Sequence, residues 1–221
     1  MKDICCIISA GDVNTTYLLN KKSEYHFFIA ADAGYEKAKN TGIIPELAVG
    51  DFDSISQPLS QYTSSASSSN SMSDYPKFIQ FPIEKDFSDT HLAIEEGIKL
   101  GYTHFHVYGA LGGDRFSHSL ANIQTLLFMK KKNVSVTLIG MHETIYLLHK
   151  ETLQLTPPMH STFSIFSLSD LCTGVTIEGG KYPLRDATLT NDFPLGISNE
   201  SLNSMISISV DDGFLLVILE Q

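Results

Sequence analysis

Two pairs of aspartates stand out by their spacing. Asp51 and Asp53 alternate in GDFDS, and Asp86 and Asp89 lie three apart in EKDFSD. Brought together, four carboxylates raise one another's pKa by like-charge repulsion unless a cation compensates. The candidate ligands are all oxygens, and no His/Cys set has zinc spacing. Hard Mg2+, held by one or two carboxylates, waters and substrate phosphates, is therefore the natural choice. Either pair alone is also what turns and helix caps use, and Ser88 or Asp89 can cap a helix beginning at Thr90. Two acidic clusters together favour a site.

Residues 109–115 (GALGGDR) lead from an expected strand into an expected helix. Gly112 and Gly113 permit close backbone approach and the helix N-terminus can receive an anion, which makes the segment a phosphate cradle. It is not GxGxxG, and the chain has no GxxxxGK[ST], so neither a dinucleotide fingerprint nor a P-loop is present. Arg115 offers a fork of donors to phosphate oxygens, or a surface ion pair. His118 either orients a ligand group or is a half-buried helix residue with a hydrogen bond of its own. His26, His91, His104, His142 and His149 follow no metal spacing and read as structural.

These residues need a scaffold. Apolar strand patterns at 4–9, 25–31, 47–49, 78–81, 105–108 and 134–139 alternate with helical patterns at 15–21, 35–40, 90–100 and 117–132. Such alternation predicts an α/β fold, a mostly parallel Rossmann-like sheet with flanking helices. Asp32, residues 50–54, 84–89 and 109–118 then all follow strand carboxyl ends, the edge where open α/β sheets bind ligands, so they should share one crevice. In the helix at 117–132, Leu120, Ile123 and Leu127 form one stripe expected to pack, and Arg115, His118 and Asn122 form another expected to serve the cleft. The pattern changes around 152–161, where Pro157-Pro158 prevents regular structure. Short strand patterns at 162–168, 175–178, 205–210 and 214–219 predict a small all-β domain. Asp211-Asp212-Gly213 predicts that the chain ends in a hairpin. The expected division is an α/β domain at 1–150 and a β domain at 151–221. The serine-rich stretch 54–73 buries too little to order itself and is expected to be a mobile surface insertion.

Composition bounds the partners. A chain of 221 residues with 43% hydrophobic and 18% charged residues is long enough for one large or two small folded domains. Its net charge of -10 repels phosphate backbones and anionic membrane surfaces, which disfavours nucleic-acid binding. Cys5, Cys6 and Cys172, odd in number and without a CxxC pair, point to a reducing, cytoplasmic setting. No apolar run is long enough for a membrane span.

Taken in order, AD-A-G at 31–34, GDFDS at 50–54, EKDFSD at 84–89, GGDRFSHSLAN at 112–122, GGKYPL at 179–184, TLTNDF at 188–193 and GISNE at 196–200 resemble the thiamine pyrophosphokinases (thiamine diphosphokinases) of the bacterial type, across nearly the whole chain. The resemblance implies an α/β domain followed by a β-sandwich that binds thiamine and dimerises. It also implies a homodimer with active sites between subunits, and Mg2+-dependent transfer of the diphosphoryl group of ATP to the hydroxyethyl group of thiamine. By motif position Asp51, Asp53, Asp86 and Asp89 would hold metal and phosphates as catalytic residues, with Arg115. Asp32, Gly34, Gly112, Gly113, Arg115 and His118 would bind ATP, and Ser198 and Asn199 would line the thiamine pocket. Two departures are visible. The family reads GGRxDH, whereas here Asp114 precedes Arg115 and Ser117 precedes His118, and Ala33 stands where glycine is common. No tryptophan is present to stack on thiamine, so any stacking comes from Phe or Tyr. The competing expectations are a diphosphokinase for another hydroxymethyl substrate, such as a pterin, and a non-catalytic thiamine or nucleotide sensor.

Overall fold

The structure, a computed structural model, describes residues 3–56, 76–113, 115–203 and 205–220. Most of the serine-rich stretch, from residue 57 on, and Asp114 lie outside the described residues. The chain divides into two compact units, one of residues 1–125 with 138–141 and one of residues 126–137 with 142–221.

The first unit begins with β1 (Ile4–Ile8), whose ICCII run is buried from Cys5 onward as a strand covered on both faces must be. The chain continues through α1 (Thr15–Lys21), β2 (Tyr25–Ala31), α2 (Gly34–Asn40), β3 (Leu47–Gly50) and β4 (Lys77–Gln80). It then runs through α3 (Asp89–Lys99), β5 (His104–Tyr108), the start of α4 (Phe116–Lys131) and the tail of β6 (Ser135–Ile139). The strands pair in parallel in the order β5-β1-β2-β3-β4, with Ile7 beside both Ile29 and Val107. This order sends the loops after β1, β2, β3 and β5 to one edge. Helix α3 lays Ala93, Ile94 and Gly97 against β1, β2 and β3. Its N-cap is Ser88, whose Oγ accepts the His91 N–H at 3.3 Å, so Asp89 is left free of capping. Gly34 opens α2, and a Cβ there would stand 1.9 Å from the Ile8 carbonyl oxygen, which closes this position to any other residue.

The second unit is antiparallel. It comprises β7 (Glu143–Leu148), β8 (Glu151–Leu155), β9 (Thr162–Ser167), β10 (Leu171–Glu178), β11 (Leu184–Thr190), β12 (Gly196–Glu200), β13 (Ile206–Val210) and β14 (Leu215–Glu220). Strands β12, β9, β14 and β7 are neighbours in that order, and β11, β10, β13 and β8 form a second sheet. Phe163, Ile165, Leu215 and Val217 from the first set share one core with Val175, Ile177, Ile206 and Ile208 from the second. Each such side chain contributes roughly 1.5–3 kcal/mol by leaving water.

Three local expectations are corrected. The expected terminal hairpin does not form: β13 pairs with β8 and β10, while β14 pairs with β7 and β9. Ile208 and Leu215 enter the core from different sheets, which strands paired side by side could not do. Strands β7, β8, β11 and β12 fall where no strand was expected. Pro157-Pro158 comes just after β8 rather than breaking it, and LRDATLT in β11 buries only Leu189, a weak signal natural to an edge strand. In α4 the buried positions are Asn122, Thr125, Leu126 and Met129, whereas Leu120 is 47% exposed. The Asn122 amide donates to the Ala110 carbonyl at 2.7 Å, which holds Asn122 itself inward, while Arg115 and His118 of its stripe are exposed.

One partly buried group makes the stability of the first unit depend on pH. His106 on β5 lies 3.2 Å from the Tyr25 hydroxyl, and burial pushes its imidazole down from 6.5 to about 4, with Glu24 opposing and Lys21 and His104 adding to the shift. A folded pKa below the unfolded one leaves stability intact above pH 6.5 and removes it as pH falls toward 4, by up to roughly 3 kcal/mol for a shift of this size. Urea unfolding at pH 7 and pH 4.5 should therefore show a larger loss for the wild type than for His106→Asn. Equal losses would mean that another group carries the titration.

Candidate active site

The loops at the strand ends enclose a cleft of about 620 Å3 within the first unit. It is lined by Ser9–Gly11 after β1, Asp32 after β2, Asp51, Asp53 and Ser54 after β3, Ser88–Thr90 at the start of α3, and Gly109–Ala110 with Gly112-Gly113 after β5. Arg115, His118, Ala121 and Asn122 at the start of α4 complete it. Two hydrogen bonds tie its floor together, Ser9 N–H to the Tyr108 carbonyl at 2.8 Å and Gly11 N–H to the Gly109 carbonyl at 2.9 Å. Below them the hydroxyls of Ser9 and Thr90 meet at 2.9 Å, joining β1 to α3.

Backbone conformation sets the direction of the acids. Asp32 has φ 51° and Phe52 φ 60°, a left-handed geometry that L side chains tolerate only when the surroundings enforce it. Phe52 is enforced by burial, its ring meeting Phe78 edge-on at 5.6 Å between centroids in a cluster with Tyr35. Asp51 and Asp53, on either side of it, both reach the cleft. One carboxylate oxygen from each of Asp32, Asp51 and Asp53 lies within 4.8 Å of the others.

The charges are unequally compensated. Asp32 is only 6% exposed and its Oδ1 has no partner among the described residues. Burial raises its pKa, with the charges of Asp89 and Asp51 adding and hydrogen bonds from the Ala33 N–H and Ser54 opposing. Burial also works against ionisation of Asp51, but hydrogen bonds from Lys85 and from the Asp53 N–H outweigh it and hold the Asp51 carboxyl below its ordinary value. Lys85 Nζ lies 2.5 Å from Asp51 Oδ2 and 2.9 Å from Asp89 Oδ1. Asp53 is exposed and accepts from the Ser54 hydroxyl at 2.8 Å. An orphaned buried oxygen beside two more carboxylates is a donor set suited to a hard divalent cation.

Of the residues expected from sequence, Asp32, Asp51, Asp53, Asp89, Gly112, Gly113, Arg115 and His118 line this one cleft. His118 is exposed rather than a half-buried helix residue. Gly112 and Gly113 both have φ 76° and open space where a Cβ would be, and the Gly112 N–H is held by the Ser119 hydroxyl at 3.1 Å. Asp86 is exposed and outside the lining, and Gly34 lies outside it too, packed on β1. Ser198 and Asn199 are on β12 in the second unit. Ser198 is exposed, with φ 56°, and its N–H donates to Ser164 Oγ at 3.0 Å. Asn199 is buried, its amide nitrogen donating to the Tyr182 carbonyl at 2.8 Å and its amide oxygen accepting the Tyr182 N–H at 3.0 Å.

Asn122, on the stripe expected to serve the cleft, does line it, whereas Ser9, Gly11, Lys85 and Thr90 were not among the expected site residues. Gly11 was open to the same strand-end argument as the others. Lys85 stands inside EKDFSD, yet nothing in its spacing tells a salt bridge to Asp51 and Asp89 from a solvated lysine.

Comparison with known proteins places the chain in a family. Residues 18–138 match the family description "Thiamin pyrophosphokinase, catalytic domain", and residues 146–215 match "Thiamin pyrophosphokinase, vitamin B1 binding domain". The chain is 28% identical over 214 residues to a thiamine pyrophosphokinase from Bacillus subtilis, covering 96% of each sequence. A solved thiamine pyrophosphokinase structure from Bacillus subtilis superimposes with a TM-score of 0.85 at 27% identity, covering 99% of both chains. A thiamin pyrophosphokinase structure from Geobacillus thermodenitrificans, at 23% identity and a TM-score of 0.80 over 99% of this chain and 97% of its own, shares the fold. The catalytic-domain match alone takes in more than half of the residues, and the chain therefore belongs to the thiamin pyrophosphokinase family.

Proposed function

We propose that this protein is a thiamine diphosphokinase, transferring the diphosphoryl group of ATP to the hydroxyethyl oxygen of thiamine to give thiamine diphosphate and AMP. The observation that carries the reading is the convergence of Asp32, Asp51, Asp53 and Asp89 with Gly112, Gly113 and Arg115 in one cleft of a chain of this family. Asp32, Asp51 and Asp53, with Asp89 nearby, would hold Mg2+, which would neutralise charge on the polyphosphate. Asp86, exposed and outside the lining in this structure, is retained as a further ligand candidate by its place in the motif alone.

The chain's own groups do the rest by position and charge. The glycine pair leaves room for phosphate oxygens to approach the backbone at the entry to α4, and Arg115 can present two parallel N–H donors to them. His118 sits one turn further along, within the same lining. In-line attack of an alcohol on the β-phosphorus asks little covalent chemistry of the protein, so orientation and electrostatic stabilisation carry the catalysis. Asp51, kept ionised, attracts the thiazolium cation of thiamine as well as metal.

We assign the nucleotide and metal chemistry to the region 1–150 and the recognition of thiamine to 151–221, through Ser198 and the backbone that Asn199 holds. The finer architecture is read as a Rossmann-like sheet followed by a β-sandwich, and the working form as a homodimer with active sites between subunits. The three cysteines, all free and buried, suit a reducing cytoplasm. No helix among the described residues is long and apolar enough to cross a membrane.

Incubation with thiamine, ATP and Mg2+ should give AMP in step with thiamine diphosphate and none when thiamine is omitted; ADP would mean simple phosphorylation, and tight thiamine binding without AMP would mean a sensor. Asp53→Asn and Asp89→Asn should each lower turnover by roughly two orders of magnitude or more while melting like the wild type. Wild-type rates in both would remove the metal assignment. Asp32→Asn should melt higher than the wild type in the presence of a chelator, by about 1 kcal/mol in unfolding free energy, because it replaces a buried orphan carboxylate with a neutral amide. A lower melting point would show that the Asp32 charge is itself stabilising.

A further inference from the structure

We propose that Lys85 is the resident counter-ion of the acidic cleft: it holds Asp51 and Asp89 together before a divalent cation binds, and the cation must compete with it for Asp51. The inference rests on the reading above that such a cation binds at Asp32, Asp51 and Asp53.

The geometry is specific. Lys85 Nζ bridges Asp51 Oδ2 at 2.5 Å and Asp89 Oδ1 at 2.9 Å, and the three side chains are 13%, 10% and 26% exposed. This sets it apart from Lys21–Glu24, Lys37–Asp12 and Lys99–Glu96 in the first unit, in which the lysine is at least 38% exposed. Asp51 follows β3 and Asp89 begins α3, so a single ammonium ties together two separate elements whose acids line the cleft. No backbone hydrogen bond between the described residues of 51–54 and 85–89 takes its place.

The second Asp51 oxygen, Oδ1, accepts the Asp53 N–H at 3.2 Å, while Asp32 Oδ1 remains buried without a partner. Lys85 thus neutralises one side of the cluster and leaves the Asp32 side uncompensated. A divalent ion entering there meets carboxylates already held at ligand spacing, but it shares Asp51 with a positive charge a few ångströms away. Preorganisation and competition act in opposite directions on metal affinity. Because the Asp51–Phe52–Asp53 turn is already fixed by the buried Phe52 ring, competition should win.

The test binds Mn2+ alone, without nucleotide, to wild type, Lys85→Met and Lys85→Arg, followed by electron paramagnetic resonance, with thermal melts in chelator and in excess Mg2+. Lys85→Met keeps the aliphatic stem and loses the charge. It should bind Mn2+ roughly tenfold more tightly than wild type, melt several degrees lower in chelator, and gain more from Mg2+. Lys85→Arg should stay near wild type in all three. Unchanged or weaker Mn2+ binding by Lys85→Met, or no binding by any of the three proteins, overturns the proposal, since a lysine that merely staples the loops would loosen the ligands on removal. The catalytic reading fails separately: wild type without thiamine-dependent AMP, alongside a tighter-binding Lys85→Met, would leave the counter-ion in place and remove the reaction.

Discussion

Crowded negative charge is the constraint on which this structure turns. Two carboxylates about 4 Å apart repel by about 4 kcal/mol at an effective dielectric of 20. Asp32, Asp51 and Asp53 approach to that range in a cleft partly withdrawn from water. The compensation present in the chain is partial and directional: Lys85 for Asp51 and Asp89, the Asp53 N–H for Asp51, the Ala33 N–H and Ser54 for Asp32. The remainder is an electrostatic demand for positive charge.

Holding these groups in place requires rigidity beneath them. The parallel strand order β5-β1-β2-β3-β4 delivers the loops to one edge, but a loop alone would relax away from its repelling neighbours. Here the restraint comes from buried apolar contacts adjacent to each acid. Phe52 is driven into the Tyr35 and Phe78 cluster between Asp51 and Asp53, and α3 is fixed over β1 by the Ser9–Thr90 hydroxyl pair next to Asp89. Left-handed backbone at Asp32 and Phe52 is the local cost of that arrangement, concentrated where the acids converge. Gly112 and Gly113, by contrast, adopt positive φ without strain and leave open space above them.

Asn199 is a motif residue whose side chain is taken up by the framework. Its amide is used on both sides by the Tyr182 backbone, so the side chain shapes the segment around Tyr182. Ser198 beside it is exposed and its left-handed backbone turns it out of the regular strand pattern. Adjacent residues of one motif thus divide between framework and surface, a division that residue type does not reveal.

The alternation of apolar runs and helical patterns was enough to place every strand from β1 to β6 and helices α1 to α4 near their observed bounds, because buried parallel strands and amphipathic helices write their periods directly into the chain. It was also enough to put the acids and the glycine pair at one sheet edge, since that follows from strand order alone. The second unit was less legible. Edge strands such as β11 and β12 bury few side chains and carry little period, and the turn at Asp211-Asp212-Gly213 has hairpin composition whether its flanking strands pair or part. That Asn122 turns inward on α4 depended on its amide finding the Ala110 carbonyl. That Ser88 caps α3 and frees Asp89, and that Lys85 reaches both Asp51 and Asp89, depended on distances between segments far apart in the chain. Sequence by itself determined which groups gather and at which edge, through periodicity and chain order; tertiary structure alone decided which of them are paired, buried or left without a partner, because pairing and desolvation are properties of contacts that no local pattern encodes.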